Sequence, residues 1–532
     1  MHIQFAAVYL LLASAALSAA PPTPPSDWMA KVQSELYLRE RDASANVHAL
    51  QARNRGQELR TYFDDDARVL ATDDERANLP LTIKTLASGV QDAQLEVNQA
   101  EAQFGLSVAD AGDVNRDGFN DVIVGAPNFD NGQNDEGAAF IYFGGAGVFD
   151  TEADARLEIN QVGAKFGQSV AGAGDVNNDG YADVIVGADR FDTLVIDGGA
   201  AFIYFGGPGE FDINADSRLS PGQAQAQLGY SVDGAGDVNG DGFSDVIVGV
   251  IHFSNGQSDE GAALIYFGGM GAFNVNHDAL LESNQTGALM GWSVASAGDV
   301  NGDNFADVMV SAPAYGNNGQ SNEGAVFIYF GGSGMFNVIP DAQLEGNQVN
   351  AYFGESVSAA GDVNGDGFAD VIVGAFLYDN GQADEGAAFI YFGSSGVFNI
   401  TPDGLLESDQ VSSGFGYTVG GGADLNGDGF ADVMVGAYQY DSGQVNEGVV
   451  GVYYGGSGSN FNPGVDVFLQ SNRANAEWGS SVASLRDVNG DSFGDVIVGE
   501  FAFDGGQNNE GAAFIYFGGA SASAIIFANG FE

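Results

Sequence analysis

An acidic loop of the form Asp-x-Asn-x-Asp begins at Asp113, Asp175, Asp237, Asp299, Asp362, Asp424 and Asp487, at intervals of 62, 62, 62, 63, 62 and 63 residues. Such a period constrains the fold more than any other feature of the chain. Each copy must form the same supersecondary unit, and neighbouring copies must bury one another's apolar faces. The fifth copy reads FGESVSAAGDVNGDGFADVIVGAFLYDNGQADEGAAFIYFGSSGVFNITPDGLLESDQ. It holds four candidate strands, Ser356 to Ala360, Asp370 to Ala375, Ala387 to Phe392 and Gly404 to Ser408, rich in Val, Ile, Phe and Tyr and separated by Gly, Asn and Asp. No helical period competes with them. Seven units of four short antiparallel strands predict an all-β, seven-bladed β-propeller. The run Val371-Ile372-Val373 is apolar on both faces, as a sheet sandwiched between two others requires. A β-solenoid is the alternative, but its coils repeat at about 20 to 30 residues.

The loop carries the only clear chemistry. In the fifth copy Asp362, Asn364, Asp366 and Asp370 occupy positions 1, 3, 5 and 9, with Gly367 at position 6 and Phe368 at position 7. Alternate side chains of a tight loop converge, so three carboxylates and an amide oxygen form a hard-oxygen set suited to Ca²⁺, with the position 7 carbonyl as a further donor. Gly at position 6 permits a positive φ at the sharp turn. The same set recurs as Asp113, Asn115, Asp117 and Asp121; Asp175, Asn177, Asp179 and Asp183; Asp237, Asn239, Asp241 and Asp245; and Asp299, Asn301, Asp303 and Asp307. It recurs again as Asp424, Asn426, Asp428 and Asp432, and as Asp487, Asn489, Asp491 and Asp495. Up to one Ca²⁺ per blade is therefore expected. An EF-hand is excluded by Val373 at position 12, where that loop needs Glu, and by flanking strands instead of helices. Position 6 departs from Gly only at Asn304 and Ser492, which makes the seventh loop the weakest expected site and the fourth the next.

Each unit resembles the FG-GAP repeat of integrin α-subunit propellers and of bacterial exported proteins. Phe104-Gly105, Phe166-Gly167, Phe353-Gly354 and Phe415-Gly416 keep the FG pair, while Leu228, Met290 and Trp478 replace its Phe. Gly125-Ala126-Pro127 is a full GAP, and Ser311-Ala312-Pro313 is close to one. The resemblance implies a seven-bladed propeller whose Asp-rich loop joins the first two strands of a blade and binds Ca²⁺. It implies an adhesion or ligand-binding module whose ligand is a protein, a matrix component or a glycan.

Charge and composition narrow the remaining classes. The chain carries 16 Lys and Arg against 72 Asp and Glu, a formal charge of -56. With 45% apolar residues it has material for a core, so this acidity is not that of a disordered tail. Nucleic acid is excluded as a partner, since no Lys or Arg lies between Arg218 and Arg473. The absence of Cys removes disulfides, thiol catalysis and Cys-ligated metals. Residues 1–20, with an apolar run from Ile3 to Leu17 ending in small residues, read as a signal peptide for a secreted or cell-surface protein without a membrane span in the mature chain. Residues 21–90 hold 9 basic and 11 acidic residues, whereas residues 91–532 hold 7 and 61, which marks a boundary between a small accessory module and the propeller of 91–519. Within 21–90 a Pro-rich spacer precedes a short helix carrying Trp28, Val32 and Leu36. A hairpin is expected with Leu59 to Phe63 and Arg68 to Ala71 as its arms. Residues 520–532 leave the repeat pattern as a C-terminal tail.

No catalytic constellation is legible, and the chain is read as a monomeric binding protein, not an enzyme. The alternatives are an exported hydrolase using the propeller as scaffold and a structural envelope protein without specific ligand. Ser107, Ser169, Ser231, Ser293, Ser356 and Ser481 follow a Gly but lack the second Gly of a nucleophile elbow. Their recurrence once per unit points to packing or strand-end hydrogen bonding. The recurring segment Asp379 to Gly386 reads as the loop between second and third strands. Finally, Leu-Glu-x-Asn-Gln or a variant starts at Leu95, Leu157, Leu219, Leu281, Leu344, Leu406 and Leu469, so one copy precedes the first acidic loop and none follows the seventh unit. Residues 91–98 are thus expected to supply the outer strand of the seventh blade, with Ile525 to Phe527 as the competitor for that edge.

Overall fold

A computed structural model of the chain describes residues 51–53, 60–63, 69–72 and 91–519, apart from 318, 459 and 460. The chain divides into two compact units, Met1–Thr85 and Leu86–Glu532. In the first, strands Gln51–Arg53, Arg60–Phe63 and Val69–Thr72 form an antiparallel sheet. Thr61 pairs with Thr72 and Phe63 with Val69, so the expected arms do pair. Residues 1–20, the helix around Trp28 and the tail 520–532 lie outside the described residues.

The second unit is a seven-bladed β-propeller in which every blade is a four-stranded antiparallel sheet. Blade five consists of Val357–Gly361, Asp370–Ala375, Ala387–Tyr391 and Gly404–Glu407, each bound within one residue of its sequence-based expectation. Register runs Val371 opposite Tyr391 and Ala387 opposite Glu407. The second and third strands are buried at every position, because both faces of each sheet are covered by neighbouring blades. First strands lie side by side around the ring, and that of blade seven, Ser481–Leu485, returns to that of blade one, Ser107–Gly112.

The FG and GAP signatures are two halves of one contact. A Cβ on Gly125 would lie 2.1 Å from the carbonyl oxygen of Gly167, the FG glycine of the next blade. Gly374 meets Gly416 in the same way at 2.0 Å, and Gly499 of blade seven meets Gly105 of blade one. Only glycine admits so close a backbone approach. The serine after FG fastens the same junction: the Ser107 hydroxyl accepts the Val170 N–H at 3.0 Å, and Ser356 accepts that of Val419 at 3.1 Å. Ser169, Ser231 and Ser293 do likewise, so these serines join blades as strand-end acceptors.

The ring closes by strand exchange. Ala93–Glu96 is the fourth strand of the seventh blade, with Leu95 opposite Ala513 and Ala93 opposite Ile515. The edge offered to Ile525 to Phe527 is therefore already taken. Each blade also latches its fourth strand with an Asp carboxylate on a backbone N–H, as Asp403 does for Phe392. In blade seven that acid is Asp92, which accepts the Phe517 N–H at 2.8 Å.

Candidate metal centres and the axial mouth

Antiparallel order puts the seven acidic loops, between first and second strands, on one face of the ring. The loops between second and third strands emerge on the opposite face. Within each acidic loop the side chains bend onto the loop's own backbone. The Asp362 carboxylate accepts N–H groups from Gly365, Asp366 and Gly367 at 2.7 to 3.0 Å. Asn364 Oδ1 accepts the Asp366 N–H at 2.8 Å, and Asp366 Oδ1 accepts that of Phe368 at 3.0 Å.

Position 9 is different in kind. Asp370 is fully buried, its Oδ2 accepting the Val363 N–H at 2.9 Å and its Oδ1 the Gly393 N–H at 2.8 Å. The same two bonds recur at Asp121, Asp183, Asp245, Asp307, Asp432 and Asp495. This residue therefore pins the acidic loop to the connection between third and fourth strands. Burial pushes all seven carboxyls up to about 7; the two backbone bonds oppose the shift, and the acids at positions 5 and 1 add to it.

The loops also form a continuous belt, which sequence spacing does not show. The position 1 carbonyl accepts the position 8 N–H of the next loop, from Asp113 with Ala182 round to Asp487 with Asn120. The Phe at position 7 covers position 4 of the preceding loop: a Cβ on Gly365 would meet Phe430 Cε1 at 2.5 Å. Position 4, like position 6, has positive φ throughout, including Arg116 at 59° and Asn178 at 58°. At position 6, Asn304 and Ser492 hold φ of 70° and 74°, the conformation expected from the glycines they replace.

The donor set fits a hard cation in kind. The side chains at positions 1, 3 and 5 supply carboxylate and amide oxygens, and each carboxylate oxygen engaged by a single N–H retains a lone pair. Among the described residues no three carboxylate or imidazole side chains stand close enough to hold an ion by themselves. A bound ion would thus draw on Asn and carbonyl oxygens as well as carboxylates.

At the opposite end of the axis lies a feature that the sequence reading missed. Tyr230 and Trp292 meet at a centroid distance of 4.9 Å, and Tyr417 and Tyr438 at 4.5 Å. Phe376 bridges Tyr352 and Tyr417 at 5.9 and 5.8 Å. Tyr230, Trp292 and Tyr417 each follow the FG-type glycine, whereas Phe376 and Tyr438 take the Pro position of the GAP-type triplet. All six are half-buried, and Glu355 sits among them, its carboxyl pushed up to about 7 by burial against a hydrogen bond from the Trp292 side chain. The signal was available: aromatic residues stand at the x of FGx in units three, four and six, all at one end of the first strands.

Comparison with known proteins agrees with this architecture. The FG-GAP repeat model matches residues 104–142, 166–204, 290–329, 353–391 and 415–455, which are blades one, two, four, five and six. This is an FG-GAP repeat protein. Its propeller is integrin-α-like: it is 33% identical to integrin alpha-V of Gallus gallus over 224 residues, 40% of this chain and 20% of that protein. It is 38% identical to integrin alpha-2 of Bos taurus over 161 residues, 29% of this chain and 13% of that one. The aligned region thus spans a fifth or less of either integrin. The C-terminal WD40 domain of Sif2 superposes with a TM-score of 0.42 and 11% identity, covering 80% of this chain and 98% of that one. No helix among the described residues is long and apolar enough to cross a membrane.

Proposed function

We propose that this FG-GAP propeller is an exported, calcium-stabilised module that binds a protein or matrix ligand at its aromatic axial mouth. The observation that carries the reading is the half-exposed group of Tyr230, Trp292, Tyr352, Phe376, Tyr417 and Tyr438 around Glu355. Tyr, Trp and Phe are the side chains that anchor protein interfaces, and a half-buried acid among them favours a cationic or hydrogen-bonding group on the partner. Integrin-type blades support a binding role in place of catalysis. So does the use of five of the repeated serines as blade-to-blade acceptors, a packing role in place of a nucleophile's.

Calcium in this reading is structural. Asp, Asn and carbonyl oxygens of the belt would hold the ions, and a dication there would offset the mutual repulsion of three acids per loop. The apolar leader of residues 1–20 supports export, and export places the protein where free Ca²⁺ is abundant. The test is an array of matrix proteins and glycans probed with and without Ca²⁺, followed by Trp292→Ala and Tyr417→Ala in the full chain. Loss of a specific protein interaction in both variants, with melting temperature retained, is the expected result. Binding restricted to glycans, or indifferent to both substitutions, would move the site elsewhere.

A further inference from the structure

A second set of acids lies on the face opposite the belt, in the loops between second and third strands. Glu260, Glu323, Glu385 and Glu510 are at most 1% exposed. One carboxylate oxygen of Glu385 accepts loop N–H groups from Asn380 and Gln382 at 2.6 and 3.1 Å, and one of Glu510 accepts those of Gly505 and Gly506 at 2.6 and 2.7 Å. The other oxygen of each of the four glutamates is buried without any hydrogen-bond partner. An ionised oxygen buried without a donor is costly; the equivalent oxygen is also orphaned at Glu136 of blade one and Glu447 of blade six, but there Arg156 engages the accompanying Glu158 and Gln470 replaces the accompanying acid.

A second carboxylate accompanies each one. Glu282, Glu345, Glu407 and Glu96 end the fourth strands of the same blades, directly opposite Ala262, Ala325, Ala387 and Ala512. In blade five Asn380 links the two acids, its backbone N–H donating to Glu385 and its side-chain amide to Glu407. In blade three Glu282 Oε1 is itself buried and unpartnered. In blade four the Glu345 charge helps raise the Glu323 carboxyl, whose main cause is burial. In blade seven a Cβ on Gly505 would lie 2.4 Å from Glu510 Oε1 and 2.9 Å from Glu96 Oε2, so oxygens from the two ends of the propeller chain converge on one point. Blade two supplies the internal contrast: there Gly198 and Ser220 replace both acids together. Blades three to five contain no Lys or Arg to neutralise the pairs, and in blade seven Arg473 engages Glu500 instead.

From this geometry we infer that the glutamate pairs of blades three, four, five and seven are low-affinity sites for a hard divalent cation, separate from the acidic belt. Two carboxylates per site, completed by loop carbonyls and water, correspond to a millimolar class of affinity. A bound ion would tie the end of the fourth strand to the neighbouring loop on the face that carries the aromatic mouth.

The test uses the full chain and Mn²⁺ as probe. Crystals soaked in millimolar MnCl2 are expected to show anomalous peaks between Glu385 and Glu407 and at the three related pairs, with none at Gly198. Equilibrium dialysis of Glu385→Gln/Glu407→Gln should give one Mn²⁺ fewer than the wild type. Glu407→Gln alone, at a half-exposed strand end that folding tolerates, should bind at that site about tenfold more weakly. Absence of a peak at every pair, or unchanged dialysis stoichiometry in a folded double variant, would overturn the inference. Because the belt lies on the other face, its occupancy is read separately in the same map.

Discussion

Replacing Leu95 by Ala tests whether the propeller depends on its exchanged strand. Leu95 is fully buried, and it packs with Phe104, Val122, Leu485 and Ile515 between the last blade and the first. Truncating such a leucine removes its transfer free energy and leaves a cavity, together about 3 kcal/mol. That is roughly a 150-fold loss in the folding equilibrium. Leu344 is the control, since it is equally buried at the matching position of blade four, where the chain is continuous. If exchange closes the ring, Leu95→Ala and Leu344→Ala should shift the urea midpoint by similar amounts. The assay follows tryptophan fluorescence in urea. Trp478 reports beside blade seven, and Trp292 reports from blade four across the ring; Trp28→Phe in every variant, with Trp478→Phe added, isolates the distant signal. Cooperative closure requires both reporters to move together in Leu95→Ala. A cost below about 1 kcal/mol, or a shift at Trp478 that leaves Trp292 in place, would refute the reasoning. Deleting residues 91–99 should then destabilise the entire ring in the same assay.

Other outcomes follow from the same geometry. The seven position 9 carboxyls sit near 7 when folded against an ordinary value of 3.8, so the metal-free fold binds more protons than the unfolded chain between those values. Its stability is complete below about pH 4 and falls as pH rises toward 7, so in chelator the melting temperature should be lower at pH 8 than at pH 5; a rise over that interval would contradict the burial argument. Excess Ca²⁺ should reverse the trend by binding only the folded state, read as a higher melting temperature at neutral pH. Ser492→Gly relieves a serine held at φ 74° and should stabilise the chain by about 1 kcal/mol while tightening calcium in the seventh loop, measured by melting and calorimetric titration. Gly374→Ala would place a methyl 2.0 Å from the Gly416 carbonyl oxygen and should destabilise by about 3 kcal/mol or more in urea, whereas a change within about 0.5 kcal/mol would mean that the blades can slide apart there.

Much of the architecture was legible because a repeat turns local pattern into global fold. The period, the doubly apolar Val371-Ile372-Val373 and the displaced Leu95 copy together determined blade number, strand order and the closing strand before any coordinates. Position 6 of the acidic loop was readable for a similar reason, since its conformation is set by the turn itself and holds even where Asn304 and Ser492 replace Gly. Contacts between copies were another matter. That FG and GAP glycines touch across blades and that Asp113 to Asp487 form a hydrogen-bonded belt depends on how one unit is rotated against the next. That rotation is a property of sheet packing, with no counterpart in the spacing of residues along one copy. The aromatic mouth depends on it too, since Tyr230 meets Trp292 of the next blade and Phe376 meets Tyr417 of the next only because the ring brings every first strand to a common axis. The paired glutamates show the same division. Sequence displayed Glu385 and Glu407 as members of two separate motifs, and the antiparallel register of third and fourth strands made them one site.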